Sequence, residues 1–258
     1  MQELAAKRVA HIKSHLEVGF KLDQLVHNVV NKRGNPVAST MSLSAHAEAA
    51  AMYAWFDKHD LVAMRNWCHV ASRLDQMWYL MEENKSGPGG KMLQLLKPLL
   101  SNNSSLIEWF AHYDAAYDMN RVEDPKTHDF WAYQAIIALR GQWDRLKERS
   151  ERILRAPPTA SAEQKYMLDY QFYLALAQQD TTRMSEVLEQ LVAPNAMRAR
   201  INDDSGYTAH LISTATVIYA KIAWRHGCEV HVDSPYCPRE WLPNDPLEHY
   251  DSHYDFLR

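Results

Sequence analysis

Apolar side chains recur at steps of three and four residues along almost the whole chain, and this spacing limits the possible folds more than any other feature. Val9, Ile12 and Leu16 begin the pattern, which places apolar groups on one face of an α-helix. Glycine is scarce, at 8 residues of 258. This scarcity disfavours tight β-hairpins and glycine-rich phosphate-binding loops. The sequence therefore predicts an all-α fold.

Helix-breaking residues divide this pattern into separate helices. The first helix should end near Gly34-Asn35-Pro36, because proline lacks an amide hydrogen and restricts the residue before it. A second helix fits Ser44 to Lys58, and Asp60 is placed to cap a third that runs to about Glu83. The segment Ser86-Gly87-Pro88-Gly89-Gly90 is the strongest breaker, and we interpret it as a surface loop.

Two stretches in the middle of the chain are similar at a spacing of 37 residues. The identical pairs are Tyr133-Gln134 with Tyr170-Gln171, Ala138-Leu139 with Ala175-Leu176, Leu154 with Leu191, and Ala156-Pro157 with Ala193-Pro194. Each copy predicts a helix, a tight turn, a second helix and a proline stop. The period is close to that of tetratricopeptide-like helical hairpins, although two ordinary hairpins with chance similarity fit as well. The predicted architecture is a set of stacked antiparallel hairpins.

A last long helix is predicted from about Tyr207 to Arg225. Asn202-Asp203-Asp204-Ser205 precedes it and offers capping oxygens, and Gly227 suits the position after its end. The two carboxylates beside a serine could also be read as a catalytic group. Their place directly before a helix favours capping instead.

After Gly227 the pattern changes, because Cys228, Val230 and Val232 alternate with polar residues and indicate a short strand. Residues 229–258 carry seven acids against two arginines, together with several aromatic and leucine side chains. A disordered acidic tail would lack such bulky apolar groups. We therefore predict one helical domain over residues 1–258, with a helical body at 1–227 and a tail at 228–258. The tail should be extended, with its short β segment packed on the helices.

No apolar run reaches the length of about 18 residues that a membrane span needs. Charged residues interrupt the N-terminal stretch, which is not typical of a secretory signal. Three cysteines cannot form a disulfide framework, as is usual in a reducing compartment. We therefore predict a cytoplasmic protein.

Familiar catalytic and metal-binding motifs are absent from the sequence. His11 and His15 share a helix face, as do His249 and His253 if the end is helical, but neither pair has the His-Glu-x-x-His order of zinc enzymes. No Cys-x-x-Cys pair, Gly-x-Ser-x-Gly elbow or phosphate-binding loop occurs. The net charge of −4 gives no indication of nucleic acid as a partner. We predict no catalytic residues, no metal and no cofactor.

The end of the chain is its most distinctive part. Residues 227–250 contain Val-His-Val-Asp at 230–233, a Trp-Leu-Pro turn at 241–243, and Pro246-Leu247 followed by Tyr250. This order resembles the C-terminal signature of the immunity protein 49 family of bacterial polymorphic toxin systems. Residues 203–207 also look similar, and the resemblance covers about the last 60 residues.

The resemblance implies a non-catalytic protein that binds a cognate toxin, such as a secretion-system effector, and occludes its active site. Many such toxins act on nucleic acids through basic grooves, which an acidic, aromatic-rich tail could occupy. The predicted partner-binding residues are Asp245, Glu248, Asp251, Asp255, Tyr250 and Tyr254. Two alternatives remain open: a tetratricopeptide-like adaptor with a peptide groove in residues 128–194, and a helical hydrolase or metal enzyme. The sequence leaves the oligomeric state open.

Overall fold

The computed structural model describes residues 2–81 and 91–258, and the regular secondary structure of these residues is helical. None of the residues in these two ranges forms a β-strand, so the prediction of an all-α fold is confirmed. No helix within them is long and apolar enough to cross a membrane. The predicted loop at 86–90 lies outside the described residues.

Contacts between Cα atoms divide the chain into two compact units, which are described separately. Unit 1 contains residues 2–81, Lys97–Phe110 and Asp245–Arg258. Unit 2 contains residues 91–96 and Ala111–Asn244. A single domain over residues 1–258 stays a prediction.

Four helices and most of two others form the helical part of unit 1. They are α1 (Gln2–Ser14), α2 (Leu22–Val30), α3 (Pro36–Phe56), α4 (Leu61–Met81), α6 (Leu96–Ser101) and α7 (Ser104–His112), with a π-helical turn at His15–Gly19. This turn separates α1 from α2, where the sequence predicts one continuous helix.

The boundaries of α3 and α4 are set by local capping. Asn35 accepts a hydrogen bond from the amide of Ala38 at 2.9 Å, and Pro36 is the first residue of α3. Pro36 therefore starts α3 before the predicted Ser44, whereas the preceding helix ends at Val30, short of the predicted Gly34-Asn35-Pro36. Asp60 accepts a hydrogen bond from the amide of Ala63 at 2.9 Å, which confirms its predicted capping role.

The core of unit 1 lies between α2, α3 and α4. Leu43 and Ala47 of α3 pack with Leu74 of α4, and Leu257 near the C-terminus joins the same cluster. An ion pair lies in this interior as well: the Nζ of Lys97 is 2.5 Å from a carboxylate oxygen of Asp75.

Unit 2 is built mainly from two helical hairpins. Its helices are α5 (Lys91–Gln94), α8 (Met119–Glu123), α9 (His128–Leu139), α10 (Trp143–Arg155), α11 (Ser161–Gln164), α12 (Met167–Ala177), α13 (Thr181–Leu191), α14 (Pro194–Ala199) and α15 (Thr214–Arg225). The hairpins α9/α10 and α12/α13 stack because α10 packs along α12.

The two hairpins correspond in structure at a spacing of 38 residues. Gly141 and Gln179 both have positive φ, 64° and 57°, at the turn between the two helices of their hairpin. The buried residues of α10 lie 38 positions before those of α13: Leu146, Arg149, Ser150 and Ile153 before Met184, Val187, Leu188 and Leu191. The identical residues of the two stretches are 37 positions apart in the sequence. The buried residues on the inner faces of the helices are 38 positions apart, so the two spacings differ by one residue.

The last helix is shorter than predicted and begins at Thr214 instead of Tyr207. Asp204 still accepts a hydrogen bond from the amide of Thr214 at 3.2 Å, reaching back over ten residues. Burial raises the pKa of the Asp204 carboxyl to about 6.

The predicted strand after Gly227 does not form. Val230 is buried, but no other strand lies beside it within the described residues, so the alternation reflects burial and not sheet pairing. Residues 228–258 are irregular apart from 3₁₀ turns at Arg239–Trp241 and Asp255–Leu257. They also divide between the two units after Asn244.

The unit 2 part of this stretch is firmly held. The Trp241 side chain is 1% exposed. The buried ammonium of Lys221 in α15 donates hydrogen bonds to the carbonyls of Leu242 and Pro243 at 3.0 and 3.1 Å, and to the side-chain oxygen of Asn244 at 3.0 Å.

Candidate partner-binding site

The six predicted partner-binding residues all lie in residues 245–258, which we call the acidic segment. Its four acidic side chains are exposed: Asp245, Glu248, Asp251 and Asp255. Its tyrosines, Tyr250 and Tyr254, are half-buried. The structure therefore brings the six residues together on one ordered stretch of unit 1, with the carboxylates outward.

The first anchor of the acidic segment is the carbonyl oxygen of Asp245. Arg65 of α4 donates a hydrogen bond to it at 3.0 Å, and the side-chain amide of Asn102 donates another at 2.9 Å. Both donors contact the main chain, so the Asp245 carboxylate remains exposed.

Two further anchors come from the same helix. The amide of Asp251 donates to Oδ1 of Asn66 at 2.8 Å, and Nδ2 of Asn66 donates back to the Asp251 carbonyl at 3.2 Å. Arg73 donates to the carbonyl of Leu257 at 2.9 Å. Asn66 and Arg73 are seven residues apart and share a face of α4 with Arg65. The acidic segment is thus held by side chains of α4 that bind its backbone.

The tyrosines of the acidic segment contribute to this attachment. The Tyr250 hydroxyl donates to the carbonyl of Ser101 at 2.8 Å and accepts from the amide of Leu247 at 3.1 Å. The Tyr254 hydroxyl lies 3.4 Å from Nδ1 of His46, and burial raises the pKa of Tyr254 to about 12. Contact between these two rings and a partner stays a prediction.

An aromatic contact completes the attachment. The rings of Trp67 and His253 stack at a centroid distance of 4.0 Å and an interplanar angle of 5°. His46 packs edge-on against Trp67 at 5.7 Å, and burial lowers the pKa of His46. The direction of this shift follows from burial, which disfavours the charged form of the His46 ring.

The charges of the acidic segment are only weakly neutralised. Glu248 forms no ion pair with any described residue. Asp255 pairs with Arg258 at 3.1 Å, but both side chains are exposed, and such pairs contribute little. The amide of His253 donates to the Asp251 carboxylate and lowers its pKa. At neutral pH the segment therefore presents negative charge to solvent.

Sequence reasoning missed the anchoring residues Arg65, Asn66, Arg73 and Asn102. Their partners lie more than 140 residues away along the chain. Polar residues on a helix are ordinarily solvated, so no local signal distinguishes them.

The other candidate groups of the sequence do not assemble into a site. The rings of His11 and His15 lie 4.3 Å apart. Across residues 2–81 and 91–258, no three histidine, cysteine, aspartate or glutamate side chains are placed to hold a metal ion.

One comparison with known proteins gives a match. The family model described as Immunity protein 49 matches residues 119–241, and this confirms the predicted resemblance. The matched range lies within unit 2 and contains both hairpins, residues 203–207 and residues 230–233. It starts well before the last 60 residues and ends before Pro246. No curated protein and no solved structure matches the chain.

Proposed function

We propose that this chain, whose residues 119–241 match the Immunity protein 49 family, is an immunity protein that binds and neutralises a cognate bacterial toxin. It acts in the cytoplasm, by occluding the active site of the toxin and without a catalytic step of its own. The acidic segment is the surface that first engages the toxin.

The observation that carries this proposal is the arrangement of the acidic segment. Its backbone is tied to α4 at Asp245, Asp251 and Leu257, while its four carboxylates face solvent. A fixed backbone lowers the entropy lost on binding, since the charges are already in place. Exposed like charges also steer a partner of opposite sign and raise its association rate.

This charge pattern supports a toxin with a basic surface around its active site. A groove that binds phosphate groups needs lysine or arginine side chains, and these also attract carboxylates. A rigid row of carboxylates seated in such a groove would exclude the substrate. Because salt screens long-range electrostatic attraction, the association rate should fall steeply as salt is added.

The experiment uses charge reversal on the full chain. The triple variant Asp245→Lys, Glu248→Lys and Asp251→Lys keeps the main-chain anchors, so we expect an unchanged melting temperature. Its association rate with the toxin encoded by the neighbouring gene should fall about tenfold or more at low salt, and rescue of cells from the toxin should weaken. Stopped-flow binding and a growth assay measure these effects.

A matched control separates the acidic segment from the effect of total charge. Asp144, Glu148 and Glu189 are exposed acids of unit 2, and reversing all three changes the net charge equally. We expect this control to retain most of the association rate. An equal loss of association rate in the two triple variants would assign the effect to net charge. An unaltered association rate in the variant of residues 245, 248 and 251 would show that the acidic segment does not take part in the mechanism.

A further inference from the structure

Unit 2 contains a pocket of about 400 Å³ that the proposed function does not yet use. It lies between the start of α9, the end of α10, residues 156–160 and the start of α12. The volume is at the lower end of the range of ligand sites, roughly 300–1,000 Å³. It suits one large side chain with its adjoining backbone.

The pocket has a rigid aromatic wall. The ring centroids of Trp131 and Tyr166 lie 4.4 Å apart. The centroid of the His128 ring lies 4.6 Å from that of Trp131 and 5.2 Å from that of Tyr166. The Trp131 indole nitrogen donates to the buried carboxylate of Asp169 at 2.5 Å. This hydrogen bond holds the Trp131 indole in place, so the aromatic wall is already formed before an occupant binds.

The charged residues that line the pocket favour an anionic occupant. Lys126 and Arg152 are exposed at its rim, and neither forms an ion pair with another described residue. Glu163 is the acid among the lining residues. Burial lowers the pKa of His128. The formal charges of Lys126, Arg152 and Glu163 sum to +1.

A cation is a poor occupant in spite of the aromatic wall. Two cations already lie near the Tyr166 ring: Lys165, with its Nζ 4.8 Å from the centroid, and Arg200 at 5.1 Å. Both of these cations are paired, Lys165 with Asp203 and Arg200 with Asp169, so the charges that oppose a further cation are those of Lys126 and Arg152 at the rim.

We infer that this pocket receives an aromatic or large apolar side chain of the toxin, carried on an acidic stretch whose carboxylate pairs with Arg152 and Lys126. The inference rests on the proposed function, because the toxin supplies the occupant. Buried aromatic anchors commonly dominate binding energy and slow dissociation. A partner must then offer both a basic surface and an acidic anchor, which excludes most unrelated proteins.

The first test uses a small probe and needs no toxin. The probe is N-acetyl-phenylalanyl-aspartate, titrated into the full chain labelled with ¹⁵N, with the indole signal of Trp131 assigned from Trp131→Phe. We expect a saturable shift of that signal. N-acetyl-phenylalanyl-lysine amide should bind at least tenfold more weakly. Absence of a saturable shift, or equal affinity for both peptides, would overturn the inference.

The second test uses charge reversal at the rim. Arg152→Glu should abolish the shift caused by the probe and raise the dissociation rate of the toxin about tenfold. Arg155→Glu, on the same helix but outside the pocket lining, is the matched control and should do neither. Equal melting temperatures of the two variants and the wild type show that the fold is kept.

The outcomes distinguish this inference from the proposed function. Normal toxin affinity in Arg152→Glu would overturn the pocket as a toxin site while leaving the immunity role intact. Failure of the wild-type chain to bind the toxin would overturn the immunity role and with it the toxin as occupant. The peptide titration would still decide whether the pocket has the proposed chemistry.

Discussion

Two buried acids of unit 2 and the acids of the acidic segment carry the same chemical group in opposite settings. In unit 2, Asp129 is paired with Arg121 at 2.9 Å and Asp169 with Arg200 at 2.5 Å, and both carboxylates are at most 1% exposed. In the acidic segment, Glu248 points to solvent without an ion pair among the described residues. The two buried acids hold helices together, whereas the exposed acids of the acidic segment are available to a partner.

This difference shows that the number of acids in a region does not predict its role. A buried carboxylate must be paired, because removing it from water is costly. An exposed carboxylate contributes little to folding, so its position can serve recognition. The attachment of the backbone, and not the composition, decides which role an acid has.

The largest expected difference between the two sets is in stability. Arg200→Ala leaves Asp169 buried without its cation and should lower the free energy of unfolding by about 3–5 kcal/mol. Asp245→Ala, at an exposed position, should change it by less than about 0.5 kcal/mol. Urea unfolding measures both, with Arg198→Ala as an exposed control on α14. Similar losses at positions 200 and 245 would contradict the comparison.

Residues 228–244, the part of the C-terminal stretch that belongs to unit 2, should contribute to stability as a hydrophobic core does. Trp241→Ala removes a side chain that is 1% exposed and should destabilise the chain by about 3–5 kcal/mol. Its neighbour Glu240 is exposed, so Glu240→Ala should have an effect below about 0.5 kcal/mol. Thermal unfolding tests this pair, and an unchanged melting temperature for the tryptophan variant would mean that residues 228–244 are only loosely attached.

Asp204 is a half-buried acid whose pKa burial raises to about 6, so it tests whether burial of a carboxylate lowers stability. Between the ordinary pKa of about 3.9 and pH 6 the folded state binds more protons than the unfolded state. The free energy of unfolding therefore decreases as the pH rises through this range and stays lower above it. Asp204→Asn keeps an acceptor for Thr214 and should stabilise the chain by about 2 kcal/mol at pH 7.

The pH dependence checks the origin of this gain. The advantage of Asp204→Asn should shrink as the pH is lowered from 6 to 4, because the wild-type carboxyl then becomes neutral as well. Urea unfolding at several pH values measures it. A gain that is constant across this range would have a cause other than the buried charge.

The smallest expected effect concerns the attachment of the acidic segment. Asn66→Ala removes both hydrogen bonds to the backbone of Asp251 and should reduce stability by about 1 kcal/mol. The Asp251 amide should then exchange with solvent faster, as hydrogen exchange followed by NMR would show. Unchanged protection of this amide would mean that the other anchors are sufficient.

Features set by neighbouring residues could be predicted from the sequence. The cap at Asp60 and the two hairpins of unit 2 follow from apolar spacing and turn residues close along the chain. The burial of Trp241 follows from the apolar character of the stretch around it. These signals need no knowledge of distant contacts.

Features set by distant residues could not be predicted in the same way. The alternation at Val230 looks like a strand, yet burial alone produces it, because no strand lies beside it within residues 2–81 and 91–258. The last helix starts at Thr214, and the amide of this residue donates to the side chain of Asp204, ten residues earlier in the chain. Arg65 meets its partner 180 residues further along the chain, so the anchoring of the acidic segment has no local signature.

The anchoring of the acidic segment through its backbone has an evolutionary consequence. Arg65, Asn66 and Arg73 bind main-chain atoms, which are present whatever side chain a position carries. Substitutions at the exposed positions 245, 248, 251 and 255 can therefore accumulate without disturbing the fold. Under the proposed function, a lineage that meets an altered toxin could change its specificity there in single steps, each passing through a stable protein.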